Sequence, residues 1–210
     1  MRTTLLVAAL VSALANWWSR LPTEHRHDEL VETISKPLTT VFVIGVAATS
    51  SAPTTQVVLA MIALALCLVG DVALMSAVDN FVAGLASFLL AHVMFIVLFT
   101  RYDLNHGGLA AVAAGGAVLL SAIVGWRIVI AARRSDRTLS APVTAYLVVI
   151  LATGVVGWST GRGWVIAGTT AFVVSDSILG WEVFVSKRRY MPLAVMTTYH
   201  VAIVSLALSL

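Results

Sequence analysis

Charged residues are scarce in this 210-residue chain. Asp, Glu, Lys and Arg together make up 11% of it, and hydrophobic residues make up 60%. Soluble domains average about 25% charged residues, so the composition excludes an ordinary soluble domain. Cysteine is nearly absent as well: Cys67 stands alone, so no intrachain disulfide can form and the redox compartment cannot be inferred. We therefore expect an integral membrane protein.

Eight hydrophobic runs are long enough to cross about 30 Å of hydrocarbon, although the first two are short. They are Thr3 to Trp18, Pro37 to Thr49, Gln56 to Ala77, Phe81 to Thr100, Gly107 to Ala132, Ala141 to Trp158, Trp164 to Phe184 and Met191 to Leu210. Most links between them are short and leave no room for a soluble domain. The runs predict an all-α, polytopic membrane bundle of about eight transmembrane helices, with residues 1–210 forming one transmembrane domain.

The first run also fits a signal peptide, because Arg2 precedes an apolar stretch and Ala13-Leu14-Ala15. Removing it would turn the basic loops outward, against the positive-inside rule. We therefore expect the run to be retained and both termini to lie outside, in a bacterial cell membrane. Ten of the thirteen basic residues then lie on the cytoplasmic side: Arg20, Arg26, Lys36, Arg127, Arg133, Arg134, Arg137, Lys187, Arg188 and Arg189.

Two acidic residues, Asp71 and Asp176, lie inside the third and seventh runs. An ionised side chain at membrane depth costs at least about 2.5–3.5 kcal/mol, so an intramembrane acid indicates a functional site. Helical rise places Asp71, Asp176, His200 and His92 in one layer, about 9–16 Å from the cytoplasmic edge. Apolar neighbours disfavour the charged form of a carboxyl group, so either acid could hold a proton and act as a general acid.

Other roles are open for each of these residues. Either acid could fix the bundle by pairing with Lys36 or Arg127, and each histidine could simply bond to a neighbouring helix. The four residues of this layer could in principle hold a metal, but no local ligand motif supports one, so we expect no metal and no cofactor. Lys36, just before Pro37, could reach the lipid headgroups or hold a substrate phosphate.

Short segments along nearly the whole chain resemble the YhhN-like lysoplasmalogenase family. They are Ser35-Lys36-Pro37-Leu38, Gly70-Asp71-Val72-Ala73-Leu74, Phe81-Val82-Ala83-Gly84-Leu85 with Phe88 and His92, Ser175-Asp176 and Thr198-Tyr199. Characterised members are eight-span proteins that hydrolyse the vinyl ether bond of lysoplasmalogens to a fatty aldehyde and a glycerophospho-headgroup. The resemblance implies that Lys36, Asp71 and Asp176 are site residues here.

This reaction suits two membrane acids, of which one donates a proton and the other stays ionised. We expect Asp176 to be the donor and Asp71 the ionised partner, with the reverse assignment open. Lys36, His92, Tyr199 and His200 are the expected substrate-binding residues. The expected partners are a lysophospholipid substrate and membrane lipids, and nothing in the chain indicates nucleic-acid binding.

Two other functions remain open. A proton-coupled transporter or lipid-binding membrane protein would also use buried Asp and His residues, and discontinuous helices in its two halves would distinguish it. An intramembrane aspartyl protease would use two aspartates to activate water, but the Gly-Asp pair is only superficially similar to that of such enzymes.

Overall fold

The computed structural model describes residues 1–21 and 29–210, so Arg26 of the predicted cytoplasmic group lies outside the described residues. Within these ranges the chain is helical and contains no strand. The helices are α1 (Arg2–Ser19), α2 (Glu29–Ala48), α3 (Thr54–Ala73), α4 (Phe81–Phe99), α5 (Gly107–Leu120), α6 (Trp126–Ser135), α7 (Ser140–Ser159), α8 (Gly163–Phe184) and α9 (Met191–Leu208). The predicted all-α, polytopic membrane bundle is confirmed.

Among the described residues, seven helical segments are long and apolar enough to cross a membrane. They comprise every predicted span except the first, with α5 and α6 joined into one segment, Gly107–Ser135. The first span is a helix of 18 residues, but it carries buried polar side chains at Ser12, Asn16 and Ser19. Two of these side chains bond to α2: Ser12 donates to the carbonyl of Ser35, and Asn16 donates to its hydroxyl. The first helix thus packs through polar contacts.

The second helix begins earlier than predicted, at Glu29 rather than Pro37. Proline removes one N–H donor but does not end this helix, and the acidic residues Glu29 and Glu32 favour its amino-terminal turn. Lys36 therefore lies well inside the helix and is 5% exposed. The predicted start of the span at Pro37 was therefore too late, and the role of Lys36 at the lipid headgroups stays a prediction.

The turn between α3 and α4 fixes the position of Asp71. The third helix ends at Ala73, four residues before the predicted end, so Asp71 lies in its last turn. The chain reverses through Asp79, whose φ of 46° lies in the left-handed region, and Asn80 then caps α4 by accepting a hydrogen bond from the N–H of Ala83. Asp71 is thereby held near the end of the bundle where the turn lies.

The interior lies between α2, α3, α4, α7, α8 and α9. The closest neighbours are α8 with α9, α3 with α4, and α1 with α2, while α7 contacts α4, α5 and α8. Phe95, Phe99, Phe172 and Leu206 are fully buried there. No residue of α5 is buried, so this helix faces outward.

One π-helical turn, Ser121–Gly125, joins α5 to α6 without a break. Its closing hydrogen bond runs from the N–H of Trp126 to the carbonyl of Ser121, five residues earlier. The fifth helix packs against α7, whereas α6 packs against α7 and α8. The segment therefore keeps its contact with α7 and gains a contact with α8 at this turn.

Both ends of the chain meet at one end of the bundle. Arg2 donates a hydrogen bond to the carbonyl of Ala207, and Ser50 donates to the carbonyl of Leu210. An even number of passes agrees with this arrangement. Which side of the membrane this end faces stays a prediction.

Candidate active site

Asp71 is 1% exposed and accepts two short hydrogen bonds at one oxygen. The hydroxyls of Tyr199 on α9 and Thr40 on α2 each lie 2.7 Å from its Oδ2 atom. Hydrogen bonds from donors to a carboxylate favour its ionised form. Three helices thus meet at this side chain.

The other oxygen of Asp71 faces a positive charge. Lys36 Nζ lies 3.7 Å from Asp71 Oδ1, an ion-pair distance too long for a hydrogen bond, and Oδ1 has no hydrogen-bond partner among the described residues. Lys36 and Thr40 are four residues apart on α2, so both side chains face α3. A buried charge in a membrane protein needs such a partner. The need is greater here because Asp71 lies at the carboxyl-terminal end of α3, where the helix dipole is negative and disfavours a carboxylate.

Asp176 on α8 has a different environment. The hydroxyl of Tyr146 donates to its Oδ2 atom at 2.7 Å, and His92 Nε2 lies 3.1 Å from the same atom. No hydrogen bond is formed by Oδ1 with the described residues. The two acids therefore differ: Asp71 faces an ammonium group, while Asp176 has one free oxygen.

Both acids line one cavity of about 440 Å³, which we call the polar cavity. Lys36, Phe88 and Tyr199 line it as well. Its rim is made of charged side chains at the ends of α1 and α8 and the start of α2: Arg20, Glu29, Glu32, Glu182 and Lys187. The mouth is thus at the end of the bundle opposite the chain termini.

The wall between α3 and α4 depends on a glycine. A Cβ atom at Gly70 would lie 2.6 Å from Cε2 of Phe88, a distance that no side chain tolerates. The absent side chain lets the Phe88 ring lie against α3, next to Asp71. Phe88 also packs edge-on against Tyr199, with ring centroids 5.8 Å apart. In the Gly-Asp pair, Gly70 therefore makes room for the cavity wall and Asp71 supplies the carboxyl group.

The structure brings together some predicted site residues and separates others. Lys36 and Tyr199 line the polar cavity with the two acids, whereas His92 lies behind Asp176 and does not line it. His200 is also away from the cavity lining: its Nδ1 atom accepts a hydrogen bond from Trp17 Nε1 at 2.9 Å. The predicted substrate-binding roles of the two histidines stay predictions.

Sequence reasoning missed Tyr146 and Thr40. A tyrosine in the middle of an apolar span is a usable signal, because its buried hydroxyl needs a partner. A threonine carries a weaker signal, since its hydroxyl often bonds to its own helix. Thr40 instead donates to Asp71 on the neighbouring helix.

Two geometric points bear on the alternative functions. Asp71 and Asp176 lie on α3 and α8, which run without interruption through Gly70 and Ser175, so the helix breaks expected of a transporter do not occur there. Within residues 1–21 and 29–210, no group of three or more His, Cys, Asp or Glu could hold a metal ion. The site as described consists of protein side chains acting around a cavity.

Comparison with known proteins agrees with the sequence resemblance. The human protein named lysoplasmalogenase TMEM86B is 28% identical over 131 residues, which cover 61% of this chain and 53% of that protein. The chain thus spans about half the length of this curated relative. No solved structure matches it. The model of the family described as "YhhN family" matches residues 31–210, which include every predicted site residue. The chain therefore belongs to the YhhN family.

Proposed function

We propose that this protein is a membrane hydrolase that cleaves the vinyl ether bond of lysoplasmalogen-type lysophospholipids. The observation that carries the proposal is the pair of carboxyl groups, Asp71 and Asp176, on one cavity with Lys36 at their side. The name of the human relative supports the same class of reaction. The whole chain acts as one transmembrane domain in this proposal.

Asp176 is the proposed proton donor. Its Oδ2 atom is held by Tyr146 and His92, so Oδ1 is the oxygen that can carry a proton to the substrate. The proton adds to the alkene carbon that is not bonded to oxygen, and the positive charge moves to the carbon bonded to the ether oxygen. This step is general acid catalysis.

Asp71 is the proposed ionised partner. Its carboxylate stabilises the oxocarbenium ion across the cavity, and it accepts a proton from the water that attacks the cationic carbon. The resulting hemiacetal then collapses: Asp71 gives its proton to the glycerol oxygen as the C–O bond breaks, and the hydroxyl proton of the hemiacetal passes to Asp176, which restores both side chains to their starting states. One water is consumed, and a fatty aldehyde and a glycerophospho-headgroup are released.

The rim of the polar cavity supplies the proposed headgroup site. Its basic residues are Arg20 and Lys187, and the buried Lys36 lines the cavity below them; a phosphate is attracted to such side chains. The acidic residues of the rim, Glu29, Glu32 and Glu182, fit a cationic group attached to that phosphate. In our proposal the mouth faces the cytoplasm, in keeping with the positive-inside rule.

The test uses purified protein in liposomes with alkenyl, alkyl and acyl lysophospholipids of matched chain length. Mass spectrometry should find free aldehyde from the alkenyl lipid alone. Asp71→Asn and Asp176→Asn should each remove this product, while Asp103→Asn, an exposed acid outside the cavity, should keep it. Release from both cavity variants at the wild-type rate contradicts the mechanism, and lipid flux without any product favours the transporter.

A further inference from the structure

A second, apolar space lies directly behind the polar cavity. This apolar cleft has a volume of about 30 Å³ and lies between α3, α4, α6, α7 and α8. Apart from Tyr146 and Asp176, every residue that lines it is apolar; Phe81, Leu85 and Leu147 form its outer part. Each of these three side chains is only partly buried, so the cleft borders the outer surface of the bundle.

A thin wall separates the apolar cleft from the polar cavity. Leu74, Phe88, Asp176 and Leu179 line both spaces. Asp176 is the only charged residue among these four, so its carboxyl group stands where a polar compartment meets an apolar one. Leu74 reaches the wall because Gly84 has no side chain: a Cβ atom there would lie 2.5 Å from Cδ2 of Leu74.

We propose that the apolar cleft binds the hydrocarbon chain of a single-chain ether lipid, and this inference rests on the function proposed above. Such a lipid has one polar part and one apolar part, and the ether bond joins them. With the headgroup in the polar cavity and the chain in the cleft, that bond lies at the wall, beside Asp176. The compartments thereby place the alkene next to the ether oxygen beside the proposed proton donor.

The cleft is narrow, and its outer residues must move for a chain to occupy it. A volume of about 30 Å³ has room for little more than water, which is far less than a lipid chain needs. In this proposal Phe81, Leu85 and Leu147, which are partly exposed, turn outward, and Phe81 gives up its edge-on contact with Phe184. The inner side is fixed instead: Gly180 packs so closely on α6 that a Cβ atom there would lie 3.1 Å from Cδ1 of Ile128.

A chain already dissolved in the bilayer gains little hydrophobic free energy by moving into a cleft, because lipid tails are equally apolar. Selection in the cleft must therefore be steric. A bulky residue in its outer part should exclude long chains while short chains, which end near the wall, still bind.

Leu147→Trp tests this steric selection. For each substrate we divide kcat/KM of the variant by kcat/KM of the wild type. We expect this ratio to be about tenfold or more lower for a long-chain alkenyl lysophospholipid than for a short-chain one, which is the size of effect that pocket shape produces. Leu151→Trp is the matched control: it lies one turn further on α7, lines a different surface groove and should change both ratios equally. Equal ratios for long and short chains in Leu147→Trp overturn the proposal.

Photocrosslinking of the wild-type protein separates this inference from the proposed function. The probe is a non-cleavable alkyl lysophospholipid with a diazirine in the middle of its chain, in liposomes, with unlabelled probe as competitor. Competed crosslinks should map to Phe81, Leu85 and Leu147. Such crosslinks without any aldehyde release from alkenyl lipids would support chain binding in the cleft and contradict the proposed reaction. Aldehyde release with crosslinks spread over the outward face of α5, including Val112 and Leu120, would contradict chain binding in the cleft and leave the proposed reaction in place.

Discussion

The ammonium group of Lys36 and the carboxylate of Asp71 face each other at 3.7 Å, with 7% and 1% of their side chains exposed. Both side chains are almost fully buried, so each charge depends on the other. Removing one partner of a buried pair leaves an uncompensated charge, which is far more costly than removing both. This asymmetry makes the pair testable.

Lys36→Met should lower the free energy of unfolding by about 3–5 kcal/mol, because it leaves Asp71 buried without its counter-charge. The double variant Lys36→Met/Asp71→Asn should recover a large part of that loss. Lys187→Met, at an exposed position on the cavity rim, serves as the control and should change stability by no more than about 0.5 kcal/mol. Thermal unfolding in detergent micelles measures all three, and a double variant less stable than Lys36→Met would show that the two charges are not paired.

Tyr146→Phe should lower turnover about tenfold to a hundredfold, because it removes the hydroxyl that lies 2.7 Å from Asp176 Oδ2. Asp176 becomes charged as it gives up its proton, so this hydrogen bond strengthens in the transition state. A hydrogen bond to a charged group contributes about 1.5–3 kcal/mol, and each 1.36 kcal/mol on the barrier is a factor of ten in rate. The measurement is kcat for aldehyde release. Tyr190→Phe makes the same chemical change at a tyrosine that is 63% exposed, and it should leave kcat as it is. Similar kcat values for both variants would mean that Tyr146 does not act on the acid.

Gly70→Ala should destabilise the protein by about 1–3 kcal/mol, since the new methyl group forces Phe88 away from α3. The displaced ring should also narrow the polar cavity and reduce turnover. Gly70→Ala/Phe88→Leu should restore part of both properties, because a smaller side chain makes room. Gly115→Ala is the matched control: no atom lies within 4 Å of a Cβ there, so the change should be neutral or slightly stabilising. Equal effects of the two alanines would contradict the packing argument.

Membrane topology can be tested with introduced cysteines, because the native Cys67 is completely buried and should not react. In intact cells, a membrane-impermeant maleimide should label Asp103→Cys, which lies on the predicted outer side. Arg134→Cys should be labelled only after the membrane is opened. The opposite pattern would invert the predicted orientation and place the mouth of the polar cavity outside.

The sequence was sufficient to find the acids and the helical class. Asp71 and Asp176 stand out because each interrupts an apolar run, and helical rise converts their positions into depth. Depth is only one coordinate, however, and the direction in which a side chain faces depends on how the helices pack. His200 was expected in the same layer as Asp71, yet it bonds to Trp17 on α1 and does not line the polar cavity.

Lys36 illustrates a second limit. Hydropathy located the apolar part of α2, but the helix extends through the polar residues before Pro37. The reason is tertiary: Arg20 pairs with Glu32, and Asn16 bonds to Ser35, so α1 supports the polar start of α2. The hydropathy of a single helix does not predict its contacts with another helix.

The π-helical turn at Ser121–Gly125 changes the direction in which the side chains of α6 face relative to those of α5. One additional residue within a turn rotates everything beyond it by about 100° relative to the preceding helix. Before the turn the segment packs mainly against α7, and after it Ile128 is directed at Gly180 on α8. Deleting one residue from this turn would therefore rotate Ile128 off the apolar cleft without altering a single side chain that lines it.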